Sequence, residues 1–401
     1  MWVLAAGSFF TFPRGRSDVP WRFVMHDFFL ADDLSGALDA AAAFHHAGRR
    51  VTVALTPDAW SRAAAGAVVG FTTETRNAPP DQAAAAVARA IAQGRAGGGR
   101  LVYKKIDSTL RGPVAAELTA LAAALPEARL LFAPANPRAG RTVRQGILRV
   151  HGVPVAETDF ARDPVSPVRE SSIPRLLGGA LAARLTIADA ETEEELARAV
   201  AGMNRSPGPW VAVGSGALAR PVAACMTHMD THCSAGTVSG PRIAAGAVLV
   251  VCGSAHPANQ AQAARAQQER GLAVCGLQVA DPAAGIRATI AALRENAAVA
   301  LHLEARRADS AAALQAIATA AARVIRAAAV RRVFVTGGET AGALCHQLGI
   351  SSLEFRDEIE PGLGLSRAEM PDGAILLAVK PGGFGDARTW MRACDGLRRQ
   401  T

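Results

Sequence analysis

Short apolar runs alternate with alanine-rich stretches of helical period along most of the chain. Phe28 to Ala31, Val51 to Leu55, Val68 to Thr72, Leu101 to Lys105 and Leu130 to Ala133 have strand length and end in polar or glycine-containing segments. Leu34 to Ala47, Asp81 to Gln93 and Val114 to Ala124 fit helices between them. Strands that alternate with helices predict parallel sheets covered on both faces, an α/β fold. The rhythm breaks from Pro134 to Pro174, which is rich in Pro, Arg and Gly and holds short β-like pieces such as Ile147 to Val150. A loop or hairpin insertion is expected there. The alternation resumes at Ile187, with the helix Glu193 to Met203, the strand Val211 to Val213 and the helix Ala217 to Met226.

Thr231 to Gly246 is polar and glycine-rich and marks the expected domain boundary. A second α/β rhythm follows. Its expected strands are Val248 to Cys252, Leu272 to Gln278, Ala298 to Leu303, Arg332 to Thr336 and Ile375 to Val379. Its expected helices are Pro257 to Arg270, Gly285 to Arg294, Ser310 to Ala329 and Thr340 to Leu348. The fold class is thus α/β with two domains, each a mostly parallel sheet flanked by helices, and an insertion in the first. The domains are expected at 25–235 and 243–401. Met1 to Ala6 is apolar but short and lacks a basic flank, so it is a poor signal peptide, and residues 1–24 read as an extension or a mis-assigned start.

Composition narrows the function. Half of the 401 residues are hydrophobic, 19% are charged and mean hydropathy is +0.16, which fits a well-buried globular chain and not a disordered or fibrous one. No run of 18 apolar residues occurs, so no membrane span is expected. Cys225, Cys233, Cys252, Cys275, Cys345 and Cys394 form no CxxC pair and fit free thiols in a reducing, cytoplasmic setting. The net charge of +8 comes from scattered arginines without a dense basic block among aromatics, which argues against nucleic acid as a partner. Only three of the 43 basic residues are lysines: Lys104, Lys105 and Lys380. In a chain shaped toward Ala and Arg, a lysine is expected where a compact ammonium is needed and a planar fork will not serve.

Those lysines fall in loops that follow strands, where open α/β sheets bind ligands. Asp32 and Asp33 stand where a strand gives way to a helix; one Asp suffices as a cap, so two suggest chemistry beside capping. Lys104 to Gly112 packs an ammonium pair, Asp107, two hydroxyls and Arg111 before a helix, a set suited to an anionic substrate and acid–base work. Thr73 to Asn77, with Arg76, and Pro134 to Thr142, with Asn136, end two further strands on the same rim. In the second half, Val251 to Ser254, Thr336 to Thr340 and Lys380 to Gly385 are small-residue loops at strand ends, and the unpaired amides of a helix start make an anion site. Neither a GxxxxGK[ST] loop nor a kinase GxGxxGxV loop is present. Gly214 to Ala219 imitates a dinucleotide fingerprint but comes late in its domain. Cys225, His228, His232 and Cys233, with Asp230, imitate a metal cluster without a clear supporting shell, so no metal ligand is assigned.

The segments ADDLSGA, KKIDSTLRG, FAPANPRAGRTV, TGGETAGAL, EIEPGLGL and KPGGFG, in that order from about Phe28 to Phe384, resemble the four-carbon acid sugar kinase family, once a family of unknown function. The resemblance implies an acid-sugar-binding N-terminal domain, a nucleotide-binding C-terminal domain, and transfer from ATP with Mg²⁺ to the 4-hydroxyl of threonate, erythronate or 3-oxo-tetronate. It implies nucleotide contacts at Ser254, at Gly337, Gly338, Glu339 and Thr340, and at Gly382, Gly383, Phe384 and Gly385, the last loop also holding Lys380. It implies a sugar-acid side at Asp32, Asp33, Lys105, Asp107 and Arg111, which Arg76 and Asn136 join on the rim. Of these, Asp33 or Asp107 is expected to accept the proton of the 4-hydroxyl. The chain departs from the common pattern at CGSAHPAN, around His256 and Asn259, and carries Ser35 where Thr is common. A small-molecule acid sugar is the expected partner, and a homodimer is compatible with such a chain. The competing readings are an NAD-dependent oxidoreductase that uses the Gly214 loop and a non-catalytic sugar-acid-binding protein.

Overall fold

The computed structural model describes residues 26–400 apart from 65, 164, 228–242, 244, 255 and 305–309. Residues 1–24, most of the Thr231 to Gly246 boundary, and His228, Asp230, His232 and Cys233 lie outside the described residues. The first half runs β1 (Asp27–Ala31), α1 (Leu34–His46), β2 (Val51–Ala54), β3 (Val68–Thr72), α2 (Pro80–Ala96), β4 (Arg100–Lys105), α3 (Val114–Ala124), β5 (Arg129–Ala133), β6 (Arg141–Arg144), β7 (Ile147–Val150), β8 (Val153–Pro154), α4 (Ile173–Leu177), α5 (Gly179–Ala182), β9 (Leu185–Ile187), α6 (Glu193–Arg205), β10 (Trp210–Gly214) and α7 (Gly216–Thr227). The second runs β11 (Val248–Cys252), α8 (Pro257–Arg270), β12 (Ala273–Leu277), α9 (Pro282–Glu295), β13 (Ala298–Leu303), α10 (Ser310–Ala327), β14 (Arg332–Thr336), α11 (Gly338–Leu348), β15 (Ser352–Glu360), β16 (Leu363–Met370), β17 (Gly373–Lys380) and α12 (Thr389–Arg399).

Each half is α/β with parallel strands flanked by helices. The strands β1, β11 and β14 are buried along their whole length, as expected of parallel strands covered on both faces. The insertion folds as an antiparallel sheet in the order β6-β7-β8, so the hairpin expected there is present.

The two halves share one sheet, in the order β12-β13-β11-β14-β17-β16-β15-β2-β3-β1-β4-β10-β5-β9. The seam is antiparallel, with Ser352 opposite Ala54, Leu353 opposite Val53 and Glu354 opposite Thr52. The antiparallel strands β15 and β16, which create the seam, have no counterpart among the expected strands. The polar face of β15 hides its strand signal: it reads SLEFRDEIE, and its inward Leu353 and Phe355 alternate with polar and charged residues.

The seam also sets where loops can meet. Three antiparallel steps, β17 to β16, β16 to β15 and β15 to β2, reverse strand direction between the halves. A flat sheet would then put the two carboxyl edges on opposite sides. Sheet twist adds roughly 20–25° per step, so the six steps from β14 to β1 accumulate roughly 120–150° and largely undo the reversal. The loops after β1 and β14 consequently face one another, with α1 packed on α11 and on β15 and β16.

Candidate active site

Asp33 caps α1: Gly36 N donates to its Oδ1 at 2.7 Å and Ser35 Oγ to its Oδ2 at 2.6 Å. Arg76, from the loop after β3, grips both carboxylates. Its Nε and Nη2 donate to Asp32 at 2.9 and 2.8 Å, and its Nη1 donates to Asp33 at 2.8 Å. Burial alone would raise the Asp32 carboxyl, but Arg76, Lys104 and Lys105 outweigh it and hold it below its ordinary value. The capping function and the second carboxylate are therefore separate: Asp33 caps, and Asp32 neutralises Arg76.

The loop after β4 supplies a second ion pair. Arg111 donates to Asp107 from Nε at 3.0 Å and from Nη2 at 2.9 Å, reaches Asp163 at 3.5 Å and lies over the Phe160 ring. Burial pushes the Asp107 carboxyl up, yet the charges of Arg111 and Arg76 carry it well below the usual range. Lys104 and Lys105 point to opposite faces of β4. Lys104 pairs with buried Glu117 at 2.8 Å, inside the fold. Lys105 stands 3.5 Å from Asp39 and donates to Ile106 O at 3.2 Å, near Gly36. Asn136, half-buried after β5, exchanges two backbone hydrogen bonds with Arg141.

In the second half, three loops form one cradle. Gly337, at φ 99°, donates its N–H to Lys380 O at 2.8 Å and starts α11. A Cβ on Gly382 would stand 3.1 Å from Ser254 Oγ, and one on Gly383 would stand 2.7 Å from the His256 ring. Thr340 is buried beside Gly253. Lys380 lies fully buried under this cradle and donates to Asn259 Oδ1 at 2.8 Å, Gly382 O at 2.8 Å and Pro381 O at 3.3 Å. Burial without a carboxylate pair lowers its ammonium to about 8. Asn259 also donates to Gly382 O at 2.9 Å, so Lys380 and Asn259 fix the loop from below. Phe384 lies farther along, partly exposed against Gly362, and Gly385 turns at φ 89° beside Thr389.

The first-half acids and the second-half cradle meet at α11. A Cβ on Gly338 would stand 2.9 Å from both Asp33 Oδ2 and Ser35 N. Asn77 donates to Glu339, and Gly342 faces Glu74 at 3.9 Å. Sequence reasoning placed Glu74 on the rim without giving it a function. Glu74 takes a left-handed φ of 50°, accepts from Thr72 Oγ1 and keeps a solvent-exposed side chain although protein crowds around its carboxylate. Burial, together with the nearby charges of Asp33 and Asp32, raises it to about 7. Asp163 and Phe160 were also missed, because they sit in an insertion that shows no periodic pattern. The dinucleotide-like loop is filled by protein: a Cβ on Gly214 would meet Ala133 O at 2.1 Å, one on Gly216 would meet Asp39, and Ser215 is buried. Its glycines serve close packing.

A family model described as a sugar-binding N-terminal domain matches residues 28–185, and one described as a nucleotide-binding C-terminal domain matches 249–390. A D-threonate kinase of Bordetella bronchiseptica is 35% identical, covering 92% of this chain and 97% of that protein. The chain belongs to the four-carbon acid sugar kinase family. A 3-oxo-tetronate kinase of Methylobacterium radiotolerans is 32% identical over 91% of this kinase and 98% of its own length. A solved structure from Salmonella typhimurium LT2 shares the fold, with a TM-score of 0.71 at 23% identity over 92% of the kinase and 98% of that chain. Among the described residues of the kinase, no helix is long and apolar enough to cross a membrane.

Proposed function

We propose that this kinase transfers the terminal phosphoryl group of ATP to the 4-hydroxyl of a four-carbon acid sugar such as threonate, erythronate or a 3-oxo-tetronate. One observation carries the reading: Gly338, at the start of the α11 cradle, lies against Asp33 of the acid loop. A phosphate on the α11 amides and a hydroxyl at Asp33 would then be neighbours. The donor set fits a polyphosphate, because the cradle brings its neighbours within 3.0 Å of a Cβ at Gly383 or Gly338, is tight at Gly382 and keeps an ammonium beneath it. The nucleotide, when bound, supplies the phosphoryl group. Among the described residues no group of three or more His, Cys, Asp or Glu side chains could hold a metal, so a Mg²⁺ would take its ligands chiefly from phosphates and water.

Phosphoryl transfer asks for position and charge more than for covalent chemistry. Gly337, Gly338, Glu339 and Thr340, with Ser254 and Gly382 to Gly385, shape the phosphate cradle, and Lys380 holds it from below. Arg76 fixes Asp32 and Asp33 as one rigid pair. Asp33 is better placed than Asp107 to take the hydroxyl proton, since it borders the cradle. A loose transition state leaves little demand for a strong base. Lys105, Arg111 and Asn136 line the acid-sugar side.

The test is a coupled assay with ATP over D- and L-threonate, D- and L-erythronate and the 3-oxo-tetronates, with the product site assigned by NMR. Phosphorylation at the 4-position of one of them is expected. Tight binding of both ligands without turnover would favour a sensor instead.

A further inference from the structure

Most cations near the acid loops already have a carboxylate partner. Arg76 is taken up by Asp32 and Asp33, Arg111 by Asp107 and Asp163, Lys104 by Glu117, and Lys105 faces Asp39. Arg141 differs. Its guanidinium donates from Nη1 to Ala139 O at 2.7 Å, its Nε is buried without a partner, and among the described residues no carboxylate forms an ion pair with it. A part-buried cation without an ion-pair partner is costly, and the cost falls when an anion arrives with matching geometry. Burial holds the Arg141 group below its ordinary value, against the attraction of nearby Asp107 and with the repulsion of nearby Arg111.

The position is also rigid. Arg141 starts β6, opposite Val150 of β7, and its backbone is bonded in both directions to Asn136. Gly140, at φ 70°, turns the chain into that strand, and His151 N donates to Gly140 O at 2.7 Å. The insertion therefore delivers one guanidinium without an ion-pair partner among the described residues to the rim where β5 ends, near Asp107 and Arg111.

We propose that Arg141 receives the carboxylate of the acid sugar and so selects acids over the corresponding sugar alcohols. This inference rests on the acid-sugar reading above. It explains why an apparently peripheral hairpin belongs to the site: without β6 and β7 the carboxylate end of the substrate would meet only cations that are already paired. Arg111 and Lys105 then serve to hold Asp107 and Asp39 in place.

The test compares binding of D-threonate and D-erythronate with binding of D-threitol and erythritol by calorimetry, without nucleotide, in the wild type, Arg141→Met and Arg141→Lys. Loss of a paired, charge-assisted contact predicts about 100-fold weaker acid binding in Arg141→Met with alcohol binding unchanged. Arg141→Lys keeps the charge but loses the fork, and about a tenfold loss is expected. Nucleotide binding should be retained in both, which shows that the variants are folded. If the wild type binds the acids and both variants bind them equally well, this inference falls while the kinase reading stands. If the wild type binds none of the acids, both fall.

Discussion

Lys104 and Lys105 show how much a single residue's direction decides. Adjacent in β4, they point to opposite faces, one into a buried pair with Glu117 and the other toward the rim. Removing Lys104 leaves the buried Glu117 carboxylate with the Thr75 hydroxyl but no cation, so Lys104→Met should destabilise the fold by about 3–5 kcal/mol, and adding Glu117→Leu should recover most of that. Urea unfolding of the single and double variants checks both. Glu74 is the second case. It is raised to about 7 beside Asp33, so it is mainly neutral below that pH and adds a negative charge above it. The substrate is an anion, so its KM should rise as pH passes through about 7, and Glu74→Gln should remove the rise. A wild-type KM that is flat from about pH 6 to 8.5 would show that Glu74 does not feel the ligand. The scarcity of lysine was legible and pointed to three buried positions. Which of them face a ligand was not, because that depends on strand pleat and on which partners fold back.

The start of α11 is where an element becomes chemistry. Gly338 has no space for a side chain against Asp33 Oδ2 and Ser35 N, whereas Gly342, one turn on, meets Glu74 only at 3.9 Å. Gly338→Ala should thus push the cradle off the acid loop and lower kcat about 100-fold, the scale expected for a misplacement near 1 Å. Gly342→Ala should keep activity and gain about 0.5–1 kcal/mol as a helix-interior replacement. Steady-state kinetics and thermal melts distinguish the two. The glycine loops were visible as sequence, and so were their strands and helices. The hairpin insertion was visible as a break in rhythm and Arg141 lay in a segment expected on the rim, but the return of Asp163 to that rim was not legible, since nothing in its local pattern says where it folds back.

At the scale of the molecule, the β15 to β2 seam makes one sheet of two α/β halves. Leu353 is fully buried there, and α1 packs across the join. Unfolding should therefore be a single calorimetric transition, and Leu353→Ala, at a cost of about 2–5 kcal/mol, should broaden or split it. Two well-separated transitions in the wild type would mean that the seam does not couple the halves. The periodic apolar runs were enough to establish the α/β class and the strand ends that carry polar loops, because buried parallel strands and capped helices are written in local pattern, while the family was legible in six ordered motifs. Local pattern does not say which loops touch. The meeting of Gly338 with Asp33 depends on three antiparallel steps and on the twist accumulated over six strand-to-strand steps, and the step that joins the halves, β15 to β2, pairs residues about 300 positions apart.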